Sequence, residues 1–217
     1  MRLNPLPTEL TTAATDAALA LLCLGVAASI WRCRRHDPWK TGLWLWLLSL
    51  LALASALGAV AHGVDLSDGA RAVLWHPLYL CLGLTVALFV VGAILDWRGH
   101  GLARLALPWA LLCALAFSLV TPLLGGSFLL FIGYEAIAMS GALLIYLTIF
   151  WRGQRPGSGL IAVAILLSML AAAVQASDLT ATILVPLDHN GLFHLLQMAA
   201  IIVLGIGLRA GLQTGHG

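Results

Sequence analysis

The chain has 217 residues, of which 61% are hydrophobic and 9% charged. A soluble domain is about half apolar and about a quarter charged, so this excess excludes a soluble enzyme; disorder is excluded too, because little of the chain is polar enough to stay solvated. A net charge of +2 gives no sign of a nucleic-acid partner, and four cysteines (Cys23, Cys33, Cys81, Cys113) are too few for a disulfide scaffold.

A membrane helix needs about 20 mostly apolar residues, and the sequence predicts seven of them in a single domain over 1–217. The first covers 12–31. Only Arg2 precedes it, and Arg32, Arg34 and Arg35 follow. A cleaved secretory signal has the reverse charge order, so this run reads as a retained span. The second covers 42–62 and the third 72–95. The fourth covers 105–124, bounded by Thr121-Pro122 and Gly125-Gly126. The fifth covers 128–151, and the Gly-rich turn 153–159 leads to the sixth, 160–177. The connection 178–190 has an apolar middle with Pro186, and is expected to lie on the membrane surface or dip into it. The seventh span covers 191–208. None of these runs alternates in polarity as barrel strands do. The expected fold is therefore an all-α seven-helix membrane protein, in which each helix satisfies its own backbone.

Lys and Arg set an expected orientation. The connections after spans one, three and five, with the C-terminal tail, hold Arg32, Arg34, Arg35, Lys40, Arg98, Arg104, Arg152, Arg155 and Arg209. The other side holds only Arg2 and Arg71. Nine against two predicts the N-terminus outside and the C-terminus inside. The pairs Trp31-Arg32, Trp97-Arg98 and Trp151-Arg152 repeat at three exits on one side, where tryptophan suits the headgroup level. A bacterial inner membrane is the expected location.

Polar residues inside spans mark function more often than surface charges do. His36, His100 and the tail residue His216 fall on the inner side. His62, His76, His189 and His194 fall at the outer end. There they join Glu135, about seven residues or roughly 10 Å into span five, as well as Gln175 and Asp188. Asn190, His194 and Gln197 share one face of the last helix, as do His76, Tyr79 and Gly83 in the third, and Ser55 and His62 in the second. Imidazoles in such a cluster are common zinc ligands, and bound zinc activates a water at neutral pH. Glu135 could act as general base, while Asn190 and Gln197 orient a ligand. The plainer readings are a helix cap for Asn190 or Asp188, a solvated loop residue for His189, and core filling for Met169, Met198 and the cysteines. Glu135 is the hardest to explain structurally, because an acid at that depth needs a partner or a proton. Asp65, Asp68 and Asp178 read as solvated loop charges.

The run from Asp188 to Gln197 (Asp-His-Asn-Gly-Leu-Phe-His-Leu-Leu-Gln), together with His62 at the end of span two, resembles the alkaline ceramidase and adiponectin-receptor-like superfamily of seven-helix membrane hydrolases. It also looks like bacterial seven-helix proteins whose last helix starts Asn…His-Leu-Leu-Gln. The resemblance implies a zinc held by one histidine from helix two and an HxxxH pair from helix seven, with a nearby serine and a helix-three aspartate. Here His62 and His194 match. Asn190 stands at the first HxxxH position, Gly58 at the serine position, and His76 where the aspartate is expected. The implied ligand set is then His62, His76 and His194, with Glu135 as base or fourth ligand and Asn190, Gln197, Tyr79, Gln175, Asp188 and His189 around ligand or substrate. The implied activity is zinc-dependent hydrolysis of a lipid amide or ester at the outer membrane face, with membrane lipids as partners.

Two other readings stand beside it. One is a non-catalytic ligand-binding or sensing protein. The other is electron transfer through a b-type haem held by two histidines. A retinal protein is disfavoured, because the only lysine, Lys40, is expected in an inner loop.

Overall fold

The computed structural model describes residues 2–123, 128–182 and 184–213. They form seven helices, each long and apolar enough to cross a membrane. In chain order these are α1 (Pro7–Trp31), α2 (Pro38–Gly63), α3 (Asp68–Arg98), α4 (His100–Leu123), α5 (Phe128–Trp151), α6 (Ser158–Gln175) and α7 (His189–Gln213). Between α6 and α7 a short antiparallel hairpin pairs β1 (Ala181–Thr182) with β2 (Pro186–Leu187). The expected boundary Gly125-Gly126, the last residue of the predicted fourth span and His216 lie outside the described residues.

Local chemistry sets the helix ends. Pro38 opens α2, where a missing N–H costs nothing, and the Asp37 side chain caps it by accepting from the Lys40 N–H at 2.9 Å. Ser67 caps α3 by accepting from the Ala70 N–H. A single residue, Gly99, joins α3 to α4 with φ +81°, a conformation that favours glycine. The predicted inner loop there is therefore almost absent, and His100 and Arg104 lie within α4.

Six helices close a ring. α1 packs on α2, α2 on α3, α3 on α5, α5 on α6, α6 on α7, and α7 back on α1. α4 packs against α3 from outside the ring, and its Leu105, Trp109, Leu112 and Leu119 are exposed. The apolar connection before α7 is the hairpin itself. It lies along α1, where the Thr11 hydroxyl donates to the Pro186 carbonyl at 2.7 Å and Leu187 is buried. The N-terminal segment straps the end of α2: Asn4 is buried, and its backbone N–H and side-chain amide donate to the Gly63 and His62 carbonyls, each at 3.0 Å.

The opposite end of the bundle corrects one expectation. Lys40 lies not in a loop but in the first turn of α2, buried, with Nζ 2.5 Å from Asp96 Oδ1 of α3. Asp96 is buried as well. The Tyr146 hydroxyl donates to Asp96 Oδ2 at 3.0 Å, and Arg155 Nε donates to the Asp96 backbone carbonyl at 2.7 Å. This network ties α2, α3, α5 and the α5–α6 turn together. At two of the three tryptophan–arginine exits an arginine covers the ring, Arg34 over Trp31 and Arg98 over Trp97.

Candidate functional site

The ring encloses a cavity of about 770 Å³ between α1, α2, α3, α5, α6 and α7, within the ~300–1,000 Å³ usual for small-molecule sites. Its deeper wall is apolar, with Leu47, Leu51, Leu82, Phe89, Ile165 and Leu204. Its other end is polar. His62, His76, Tyr79, Glu135, Gln175, His189, Asn190, His194 and Gln197, all singled out from the sequence, line it together. Gly83 does not join His76 and Tyr79, because it turns to α4, where a Cβ would meet the Phe117 ring at 3.1 Å. Asp65, Asp68 and Asp178 are exposed, as expected of loop charges.

His194 is buried, and both its ring nitrogens have partners. Nε2 is 3.2 Å from Asp16 Oδ1 and Nδ1 is 3.0 Å from the Thr15 hydroxyl. The Thr15 hydroxyl also donates to the Thr12 carbonyl at 2.9 Å. His62 places Nδ1 2.8 Å from Glu9 Oε2, and its ring meets Trp75 edge to face. His76 is exposed at the rim, with Nδ1 2.7 Å from the Ala72 carbonyl of its own helix. α1 thus supplies three partners, Glu9, Thr15 and Asp16, that the sequence reading passed over. Asp16 did carry a signal, being an acid inside the predicted span 12–31.

Position 58, where the resemblance implies a serine, is glycine for a visible reason. A Cβ there would lie 2.5 Å from Asp16 Oδ2 and 3.0 Å from its Cγ. The bare backbone of α2 makes room for the carboxylate that faces His194.

The first turn of α7 decides between the two expected caps. Asp188, not Asn190, caps the helix, accepting from the Gly191 N–H at 2.8 Å and from the Thr12 hydroxyl at 2.9 Å. Asn190 lies inside the helix and accepts from Gln175 Nε2 at 3.2 Å. Burial pushes the Asp188 carboxyl up, but the Gly191, Thr12 and Asn190 hydrogen bonds and the nearby His189 outweigh it and hold it below the ordinary aspartate value. Asp188 therefore stabilises the fold above the ordinary aspartate range, and this contribution is lost as pH falls through its lowered value. Asp188→Ala is expected to cost about 1 kcal/mol at neutral pH, and the difference from the native chain should shrink in thermal melts as pH falls below the ordinary aspartate range.

Five polar side chains lie at one depth. Counted at 1.5 Å per residue from the near ends of their helices, Asp16, Ser55, Glu135, Ser168 and Gln197 all fall about 10–14 Å in. They come from α1, α2, α5, α6 and α7 and all line the cavity. Gln197 is only 9% exposed, and its Oε1 has no donor among the described residues. A buried acceptor left unpaired costs about 1–3 kcal/mol, so this oxygen points to something that enters the cavity.

The zinc that the resemblance implies has no grouped ligand set among the described residues. A ligating histidine gives one nitrogen to the metal and the other to an orienting partner, whereas His194 gives both to the protein. Among the described residues no three His, Cys, Asp or Glu side chains are grouped to hold a metal ion. His62, His76 and His194 all line the cavity.

A model of the family of unknown function DUF6962 matches residues 11–213. The chain belongs to this family. No curated protein and no solved structure matches it. The DUF6962 match begins four residues into α1 and ends with α7. It therefore takes in every cavity-lining residue named above, with Thr15, Asp16 and the Lys40–Asp96 pair, but leaves out Asn4 and Glu9.

Proposed function

We propose that this protein is a seven-helix membrane receptor or binding protein, which takes an amphiphilic small molecule into the cavity between its helices. The observation that carries this reading is the cavity's division. An apolar wall of leucine, isoleucine and phenylalanine suits a hydrocarbon chain, and a layer of hydrogen-bonding side chains suits a head group. The histidine–carboxylate pairs fix the shape of the polar end. Nε2 of His194 is committed to Asp16 and Nδ1 of His62 to Glu9, so binding would not have to order them.

In this reading the polar end of the cavity faces the outside of a bacterial inner membrane and the Lys40–Asp96 end faces the cytosol. The nine-to-two distribution of Lys and Arg supports that orientation, and a C-terminal reporter active only in the cytosol tests it. Hydrolysis of a lipid amide or ester through zinc gains no support from the donor set.

The direct test is native mass spectrometry of protein released from detergent, beside Ser168→Phe. Ser168 is buried and lines the cavity, so the larger ring fills space that a ligand would occupy. The native chain is expected to retain an amphiphile at one per chain, and Ser168→Phe to lose it. Equal retention by both proteins, or by neither after incubation with cell lipid extract, would sink the reading.

A further inference from the structure

We propose that the ligand is a cationic amphiphile, an alkyl chain ending in an ammonium group that donates hydrogen bonds, with its head seated between Glu135 and Gln197. The inference rests on the binding reading above and names the chemistry of the head group.

Charge comes first. Two acids line the cavity, Asp16 and Glu135, and among the described residues no lysine or arginine does. The basic groups on its wall are histidines only. His194 lies against Thr15 and Asp16, His62 has Nδ1 on Glu9, His76 at the rim has Nδ1 on the Ala72 carbonyl, and His189 opens α7. At the level of Glu135 a fatty acid or a phosphate head would meet a carboxyl group with no lysine or arginine to receive it, and like charge at close quarters disfavours binding. Asp16 already has an imidazole partner. Glu135 has no ion-pair or hydrogen-bond partner among the described residues, although an acid at that depth needs one.

Hydrogen bonding gives the second, independent argument. Gln197 is about nine-tenths buried, it lines the same cavity, and its Oε1 lacks a donor among the described residues. An amide oxygen accepts and cannot donate, so the missing group is an N–H or O–H. Glu135 lies seven residues into α5 and Gln197 eight into α7, so the two stand at about the same depth, roughly 10–12 Å. An ammonium group carries three donors. One can meet the Glu135 carboxylate and one Gln197 Oε1, while the Ser55 or Ser168 hydroxyl at the same level accepts the third.

Aromatic rings supply a further surface. The Trp75 and Tyr79 rings lie 5.6 Å apart on the α3 wall of the cavity. Their faces attract a cation and are indifferent to a neutral alcohol. The apolar residues below them take the alkyl chain.

The experiment measures saturable binding to the full chain in nanodiscs by scintillation proximity. The probes are radiolabelled dodecylamine, dodecanol and dodecanoate, and Ser168→Phe nanodiscs define partition into lipid alone. Dodecylamine is expected to bind about ten- to hundredfold tighter than the other two, the range of a charge-assisted hydrogen bond. The isosteric Glu135→Gln should bring the amine down to the level of the alcohol. Gln197→Leu should weaken the amine about tenfold and leave the alcohol closer to its native value. Should Glu135→Gln fail to fold, Gln197→Leu alone decides. An amine that binds no better than the alcohol, or whose advantage survives both variants, overturns the cationic head while leaving a binding site for amphiphiles in place. Absence of saturable binding for all three probes overturns both readings.

Discussion

Asp96→Ala is expected to destabilise the protein by about 3–5 kcal/mol, the usual cost of removing one partner from a buried ion pair. The Lys40 ammonium and the Asp96 carboxylate are both almost fully buried and 2.5 Å apart. Lys40 in water would be solvated on all sides. Inside the bundle its charge is met by one carboxylate, and that carboxylate also accepts from Tyr146. Removing it leaves an ammonium with no counter-charge, and a buried phenol with no acceptor. Arg155 cannot help, because it is itself a cation beside the same carboxylate, with Nη1 3.8 Å from Oδ1 and Nε donating to the Asp96 backbone carbonyl. Thermal unfolding in detergent measures the loss, and the double variant Lys40→Met/Asp96→Ala tests its origin. Taking away the stranded charge should restore much of the stability. A cost for Asp96→Ala below about 1 kcal/mol would show instead that the pair acts like a solvated surface bridge.

The same pair shows where the sequence misled. Lys40 follows Asp37-Pro38 and precedes an apolar run, so it reads as a loop cation. What hides it is Asp96, 56 residues away on α3, and no local pattern announces that partner. Asp16 was a different case. The acid lay in plain sight inside span 12–31, but its importance depends on His194, 178 positions further along the chain. The spans themselves were legible, because twenty apolar residues in a row are a local property. α5 has the predicted bounds, and α2 begins four residues early and ends one late. α1 begins at Pro7 rather than 12 because the polar turn Thr8-Glu9 continues the helix beyond the apolar run. α7 continues past 208 to Gln213 for the same reason. Nine of the residues chosen as polar and near one end of their helices do line one cavity, since alternating topology alone sends them to the same end. Their convergence around a closed ring, with α4 outside it, depends on which helices touch, and apolar composition does not encode that.

Gly58→Ala is the second substitution with a large expected effect, and its sign depends on residue 16. Alanine is the better helix former by about 1 kcal/mol in a helix interior, so propensity alone favours the change. Packing opposes it. The new methyl would sit 2.5 Å from Asp16 Oδ2 and 3.1 Å from Oδ1, and a side chain as short as aspartate cannot yield without leaving His194 Nε2. Overpacking of this kind costs about 1–3 kcal/mol, and the Asp16 carboxyl is pushed from its place beside the buried His194 ring. The net expectation is a loss of about 2 kcal/mol, with a displaced His194 imidazole signal in nitrogen-15 spectra. In an Asp16→Ala background the obstacle is gone, and the same substitution should be neutral or stabilising. The two single variants together with the double one form a cycle whose coupling term isolates the contact. A cost for Gly58→Ala that stays the same in both backgrounds would mean that Asp16 is not what keeps position 58 free of a side chain.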